Sequence, residues 1–228
     1  MPLSNELCKA YTAILKEELL VAMGCTEPIA IAYAAAILAD VLDAAPTAIR
    51  ADLSGNIIKN VKSVIVPATG GLHGIQAAIS AGIIAACPEK ELEVLTGLKA
   101  EDQPRISAFL QGCDFTVEEM ESPHTFDLQL TGIAGENTAV VRIAGNHTNV
   151  VSVLRNGENR TDRYRTAATA GENALTDRSV LNVQDILTFA AETPLEELQP
   201  LLREARELAI LTARYYDRSY RRNERYTL

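Results

Sequence analysis

The chain has 228 residues, 47% hydrophobic and 22% charged, with a formal net charge of -9. It is long enough to bury a substantial core as one large domain or two small ones, and too apolar to be disordered over most of its length. The negative balance argues against nucleic acid as a partner of the body of the chain. The first residues lack a basic stretch followed by an apolar run, and Gly, Pro and Asp break the apolar segments before bilayer length, so no membrane span is expected. The four cysteines, Cys8, Cys25, Cys87 and Cys113, have neither CxxC spacing nor the density of a disulfide scaffold, and read as reduced thiols in the cytoplasm.

From Asn5 to about Val21 the apolar residues Leu7, Tyr11, Ile14, Leu15 and Leu19 fall on one helical face. Gly24 then turns the chain into Cys25-Thr26-Glu27-Pro28. Thr26 is expected as the N-cap of the next helix, with Glu27 in the first turn and Pro28 where a missing N–H does no harm. That places Cys25 at the positive end of a helix dipole, where its thiol pKa is expected to fall. The helix to about Leu42 is apolar all round, so it must be buried on most sides.

Residues 47–53 alternate as a short half-buried strand. Ser54 to Asn60 reads as a polar turn running into a short helix. The loop Ala68 to Gly74 opens an apolar helix from Ile75 to about Ala86. Its three glycines and a threonine form either an anion cradle or a helix entry shaped by packing, and spacing alone leaves both open.

After Pro88, Leu92, Leu95 and Leu98 suggest one helix, and Ile106, Phe109 and Leu110 a second. The period then changes to two. Four strands are predicted at 114–119, 125–130, 137–143 and 149–154, with turns at 132–135, Gly145-Asn146 and Asn156-Gly157. Residues 160–175 read as polar and irregular, 183–191 as a helix capped by Asn182, and a last helix starts near Pro194 and runs past Leu211. Arg and Tyr interleave in the tail from Arg214 to Tyr226, either as a patch for an acidic partner or as a helix making a subunit contact. The expected class is α+β: an alanine-rich helical layer (1–87 and 176–228) with an inserted α+β unit (88–175) of about four mainly antiparallel strands.

Gly24-Cys25-Thr26-Glu27-Pro28-Ile29-Ala30, Ser54-Gly55-Asn56-Ile57-Ile58-Lys59-Asn60 and Pro67-Ala68-Thr69-Gly70-Gly71 with Gly74, in this order, resemble the L-cysteine desulfidases and the iron–sulfur L-serine dehydratase α-chain proteins. Asn146 to Val151 and the segment 185–190 are similar to the same family. The resemblance implies a cytoplasmic lyase with a [4Fe–4S] cluster that β-eliminates L-cysteine to sulfide, ammonia and pyruvate, or L-serine to ammonia and pyruvate. Carried over, it makes Cys25 a cluster ligand. Ser54, Asn56, Asn60, Thr69, Gly70 and Gly71 would hold the small amino-acid substrate. Lys59 would be a base if buried, and His147 a catalytic or structural residue.

Family members are nearly twice as long, and their other two cluster cysteines lie in a C-terminal half that this sequence does not include. Three expectations follow: half of a two-chain enzyme, a fragment that folds without the cluster, or an inactive relative that binds a small amino acid or a partner. A metal-free thiol enzyme would need a base near Cys25, and the candidates are His73, His124 and His147. If a second half normally covers the alanine-rich helices, a homo-oligomer or a second chain is expected.

Overall fold

The computed structural model describes residues 3–19, 22–165, 176–203, 206–207 and 209–210. Six strands form one sheet in the order β2-β1-β3-β4-β5-β6: β1 (Ala48–Leu53), β2 (Asp114–Glu119), β3 (Asp127–Ala134), β4 (Asn137–Ala144), β5 (Val150–Arg155) and β6 (Glu158–Asn159). β1 runs parallel to β2, and every other pairing is antiparallel. The four strands expected from the period-two pattern are all present, and the strand expected at 47–53 lies between two of them. The first segment of the chain and the 88–175 segment therefore share one sheet.

The alternation in β1 sets its faces. Ile49, Ala51 and Leu53 are buried, while Arg50 is exposed on the other side, bonded to Asp52 and Glu118. In register with them, Leu128 and Leu130 of β3 and Val141 and Ile143 of β4 continue the apolar face. Helix α2 (Thr26–Leu42) packs on β3 and β4, and α4 (Ile75–Ala85) packs on α2. Each of the Ile and Leu side chains that α2 buries stabilises the fold by roughly 1.5–3 kcal/mol.

Small residues let these layers close. A Cβ added at Gly82 of α4 would stand 2.1 Å from the Ala32 carbonyl oxygen, so that helix pair tolerates no side chain there. Gly132, expected in a turn, instead lies inside β3, where a Cβ would meet Leu38 Cδ2 at 2.8 Å. Its small size answers to the helix above the sheet, which a strand read in isolation does not reveal. The β5–β6 turn at Asn156-Gly157 is as expected, with both residues at positive φ, 50° and 83°.

Around the core lie α1 (Asn5–Glu18), α3 (Gly55–Val61), α5 (Gln103–Gly112) and α6 (Val183–Glu192). Ser4 caps α1 and Asn182 caps α6 through side-chain oxygens. Tyr11 and Phe189 join α1 to α6 with ring centroids 5.4 Å apart, and the Tyr11 hydroxyl donates to the Val180 carbonyl at 3.0 Å. The helix expected through Leu92, Leu95 and Leu98 is instead a 3-10 segment (Pro88–Glu93) followed by turns. Ala86 in a left-handed conformation and Glu91 at φ 46° break the helical path, although Leu92 and Leu95 are still buried.

The alanine-rich helices are covered by the chain itself: Ile29 to Leu38 are at most 2% exposed. Among the described residues, the most exposed large apolar side chains are Val183 and Leu187 of α6 with Leu195 and Leu202 after it, while Leu15, Ile65 and Ile133 are exposed singly elsewhere. Helical residues continue at 195–203, and the arginine–tyrosine tail from Arg214 lies outside the described residues. Among the described residues no helix is long and apolar enough to cross a membrane.

Candidate functional site

Cys25, not Thr26, is the N-cap of α2. Its backbone is extended (φ -61°, ψ 123°), and Thr26 is already the first helical residue. Cys25 does not cap with its side chain. Its thiol donates to Glu27 Oε2 at 3.1 Å, and the Thr26 hydroxyl donates to the same oxygen at 3.4 Å. From the last turn of α3, Asn60 Nδ2 donates to Glu27 Oε1 at 3.1 Å. Both oxygens of one carboxylate are thereby held by side chains from two helices.

His147 joins this group from the β4–β5 loop. The Gly145 N–H donates to the Phe126 carbonyl at 2.9 Å, and the Asn146 side chain accepts the His147 N–H at 2.7 Å. The loop sets the imidazole 4.3 Å, centroid to centroid, from the Phe126 ring, within electrostatic reach of Glu27.

The charges settle differently from the sequence expectation. Burial, then the hydrogen bond to Glu27 and its negative charge, push the Cys25 thiol up to about 11. The helix start does act in the other direction, through the Glu27 N–H, but it is outweighed. The expectation of a depressed thiol pKa is therefore corrected: the dipole acts on a group that already faces a carboxylate. Burial also opposes the charge on Glu27, yet the bonds from Cys25, its own backbone and Asn60, with His147 nearby, hold its carboxyl below the usual range. Burial lowers His147, and Glu27 only partly offsets this. At neutral pH the thiol keeps its proton and the imidazole is free to take one.

The remaining candidates are placed elsewhere. Ser54 is buried, and its hydroxyl donates to the Thr125 carbonyl at 2.9 Å and accepts the Asp127 N–H at 3.4 Å. Thr69 is buried and donates to the Val66 and Leu72 carbonyls. Gly70 and Gly71 have positive φ, and Gly70 lies against the Gln103 side chain of α5. Asn56 and Lys59 are exposed, so Lys59 lacks the burial on which its role as a base rests. Among the described residues no hydrogen bond or ion pair joins Thr69, Gly70 or Gly71 to Cys25, Glu27 or His147. His73 pairs with Ile65, and His124 lies beside Asp127.

Glu27 is the member that sequence reasoning assigned only to the helix dipole. The Cys25-x-Glu27 spacing across a helix start, which sets N-cap and N2 side chains side by side, was the available signal. Cys8, Cys25, Cys87 and Cys113 are all free. Among the described residues no three His, Cys, Asp or Glu side chains are grouped to hold a metal ion.

No family model and no solved structure matches the chain significantly. It is 44% identical over 195 residues to a UPF0597 protein of Desulfitobacterium hafniense, covering 85% of this chain and 45% of that one. A UPF0597 protein of Treponema denticola is 40% identical over 203 residues, 89% of this chain and 47% of the relative. One of Vibrio parahaemolyticus is 33% identical over 219 residues, 95% and 51%. These names replace the desulfidase and dehydratase assignment read from five short segments. A helix start, a polar turn and a glycine loop are each locally determined and do not identify a family. The chain is similar over most of its length to UPF0597 proteins, and it spans about half the length of the curated relatives it matches.

Proposed function

We propose that this chain supplies the acid–base half of a lyase site acting on a small amino acid, L-cysteine or L-serine, and that further polypeptide completes the site. The observation that carries this reading is the joining of Cys25, Glu27, Asn60 and His147 around one carboxylate. Groups whose environments push their proton affinities apart are suited to acid–base work. β-Elimination needs one of each kind: a base for the Cα proton and an acid for the departing group.

In this scheme neutral His147 takes the proton from Cα, and the Cα–Cβ double bond forms as the Cβ–S or Cβ–O bond breaks. The Cys25 thiol gives its proton to the leaving sulfide or hydroxide. The aminoacrylate product takes up water to yield pyruvate and ammonia, and the imidazolium returns its proton to the Cys25 thiolate. Glu27 orients the thiol and balances the imidazolium, while Asn60 fixes Glu27.

The test is an assay for pyruvate from L-cysteine and from L-serine, prepared without oxygen so that Cys25 stays a thiol. It is run on this chain alone and on this chain co-expressed with the half of the Desulfitobacterium relative that it does not match. Pyruvate from the co-expressed sample is expected, and His147→Ala lowers its rate by about 100-fold or more. No pyruvate from the co-expressed proteins, or full activity in His147→Ala, contradicts the proposal.

A further inference from the structure

A cavity of about 290 Å³ opens between α2 and the Pro88–Glu93 segment, lined by Tyr33, Asp40, Glu89, Glu91, Arg163 and Tyr164. We propose that it binds a small primary amine through its ammonium group.

Tyr33 is 2% exposed and lines the cavity, and among the described residues its hydroxyl has no hydrogen-bond partner. The ring is buried while the hydroxyl reaches the cavity, where it can bond a polar ligand atom. Glu91 faces the same space. Its backbone is at φ 46°, ψ -117°, a strained conformation for a residue with a side chain, and among the described residues its carboxyl has neither a hydrogen bond nor an ion pair. Strain of this kind persists where the surroundings fix it, and it concentrates at ligand clamps.

The other charges around the cavity decide the sign of the ligand. Asp40 is already matched: Arg163 approaches it at 3.0 Å, and the Tyr164 hydroxyl donates to it. Arg165, also on the lining, pairs with Asp162 at 3.7 Å. The groups left uncompensated are Glu91, exposed Glu89 and the Tyr33 phenol, all of which accept hydrogen bonds. A cation with N–H donors meets that set, and an anion does not. A metal ion is a poorer occupant, since among the described residues no three acidic, His or Cys side chains gather to ligate one. Burial raises the Glu91 carboxyl above its ordinary range, and a bound ammonium would reverse that by restoring its charge.

Calorimetric titration of the chain with propylamine at neutral pH tests the proposal, with sodium propionate as the control of opposite charge. Saturable propylamine binding is expected, with none for propionate. Glu91→Gln weakens the binding by about tenfold, and Tyr33→Phe and Glu89→Gln each weaken it by roughly threefold. Glu89 is exposed, so its variant reads charge without disturbing packing. No saturable propylamine binding, preference for propionate, or undiminished affinity in both Glu91→Gln and Glu89→Gln would overturn it.

Discussion

Two groups of polar side chains sit beside helix starts, and they differ in what they bond. Ser54 precedes α3 and Thr69 lies in the loop before α4. Both are buried, and their hydroxyls donate to backbone carbonyls. The side chains of Cys25, Glu27 and Asn60 bond to one another, with Thr26 on the same carboxylate and His147 drawn toward it. A side chain that satisfies backbone groups fixes a fold; side chains that satisfy each other hold protons whose positions can change. This difference separates scaffold from chemistry among residues that look alike in sequence.

The scaffold side carries the largest expected effects. Asp127, 0% exposed, is gripped by Arg142 at 2.7 and 3.0 Å and by the Ser122 hydroxyl at 2.6 Å, next to Ser54. Arg142→Ala should cost about 2–3 kcal/mol in urea unfolding, below the range for a fully buried pair because Arg142 is 37% exposed. Burial opposes the Asp127 charge, but the Arg142 and Ser122 bonds outweigh it and hold its pKa below the ordinary value. Its contribution is therefore whole above the unfolded value near pH 3.9 and lost as pH falls through the lower folded value. Acid unfolding should be steeper in the parent chain than in Arg142→Ala.

Ser54→Ala should cost about 1–2 kcal/mol, because it leaves the Thr125 carbonyl without its donor, and the titrations of Cys25 and His147 should not move. A shift in either would join the two regions that the contrast separates.

On the chemical side, Glu27→Gln should change proton affinities rather than stability. The Cys25 thiol should fall toward the ordinary range without reaching it, since burial, the larger cause, remains. His147 should fall further, having lost the one charge that supports its protonated form. Alkylation rate against pH reads the first, and histidine NMR titration the second. Asn60→Ala is the mildest change. It should raise the Glu27 carboxyl slightly and cost under about 0.5 kcal/mol, Asn60 being exposed.

The fold was readable where period and punctuation agree. Apolar residues on every side of 29–38 could only mean a buried helix, and the alternation at 125–130 marked a strand with one face covered, although the turn expected at 132–135 hid its continuation through Gly132 to Ala134. The path after Pro88 was not readable, because Leu92 and Leu95 are buried as a helix would bury them while the strained Glu91 turns the backbone away. Within the site, Cys25, Asn60 and His147 were each visible as residues, but they lie on three elements, and only the packing of α3 and the β4–β5 loop against the start of α2 brings them to Glu27. The thiol expectation failed for a related reason. A helix dipole can be read from local sequence, whereas the burial that outweighs it is a property of the whole core.

The central claim is that Glu27 and burial keep the proton on Cys25 at the start of α2. The most direct measurement is the pH dependence of Cys25 alkylation in the unaltered chain, resolved from the other three cysteines by peptide mass spectrometry. The account predicts a midpoint near 11. A midpoint at or below about 8.5, the value of an unperturbed thiol, would contradict it and return Cys25 to the role of a dipole-stabilised thiolate.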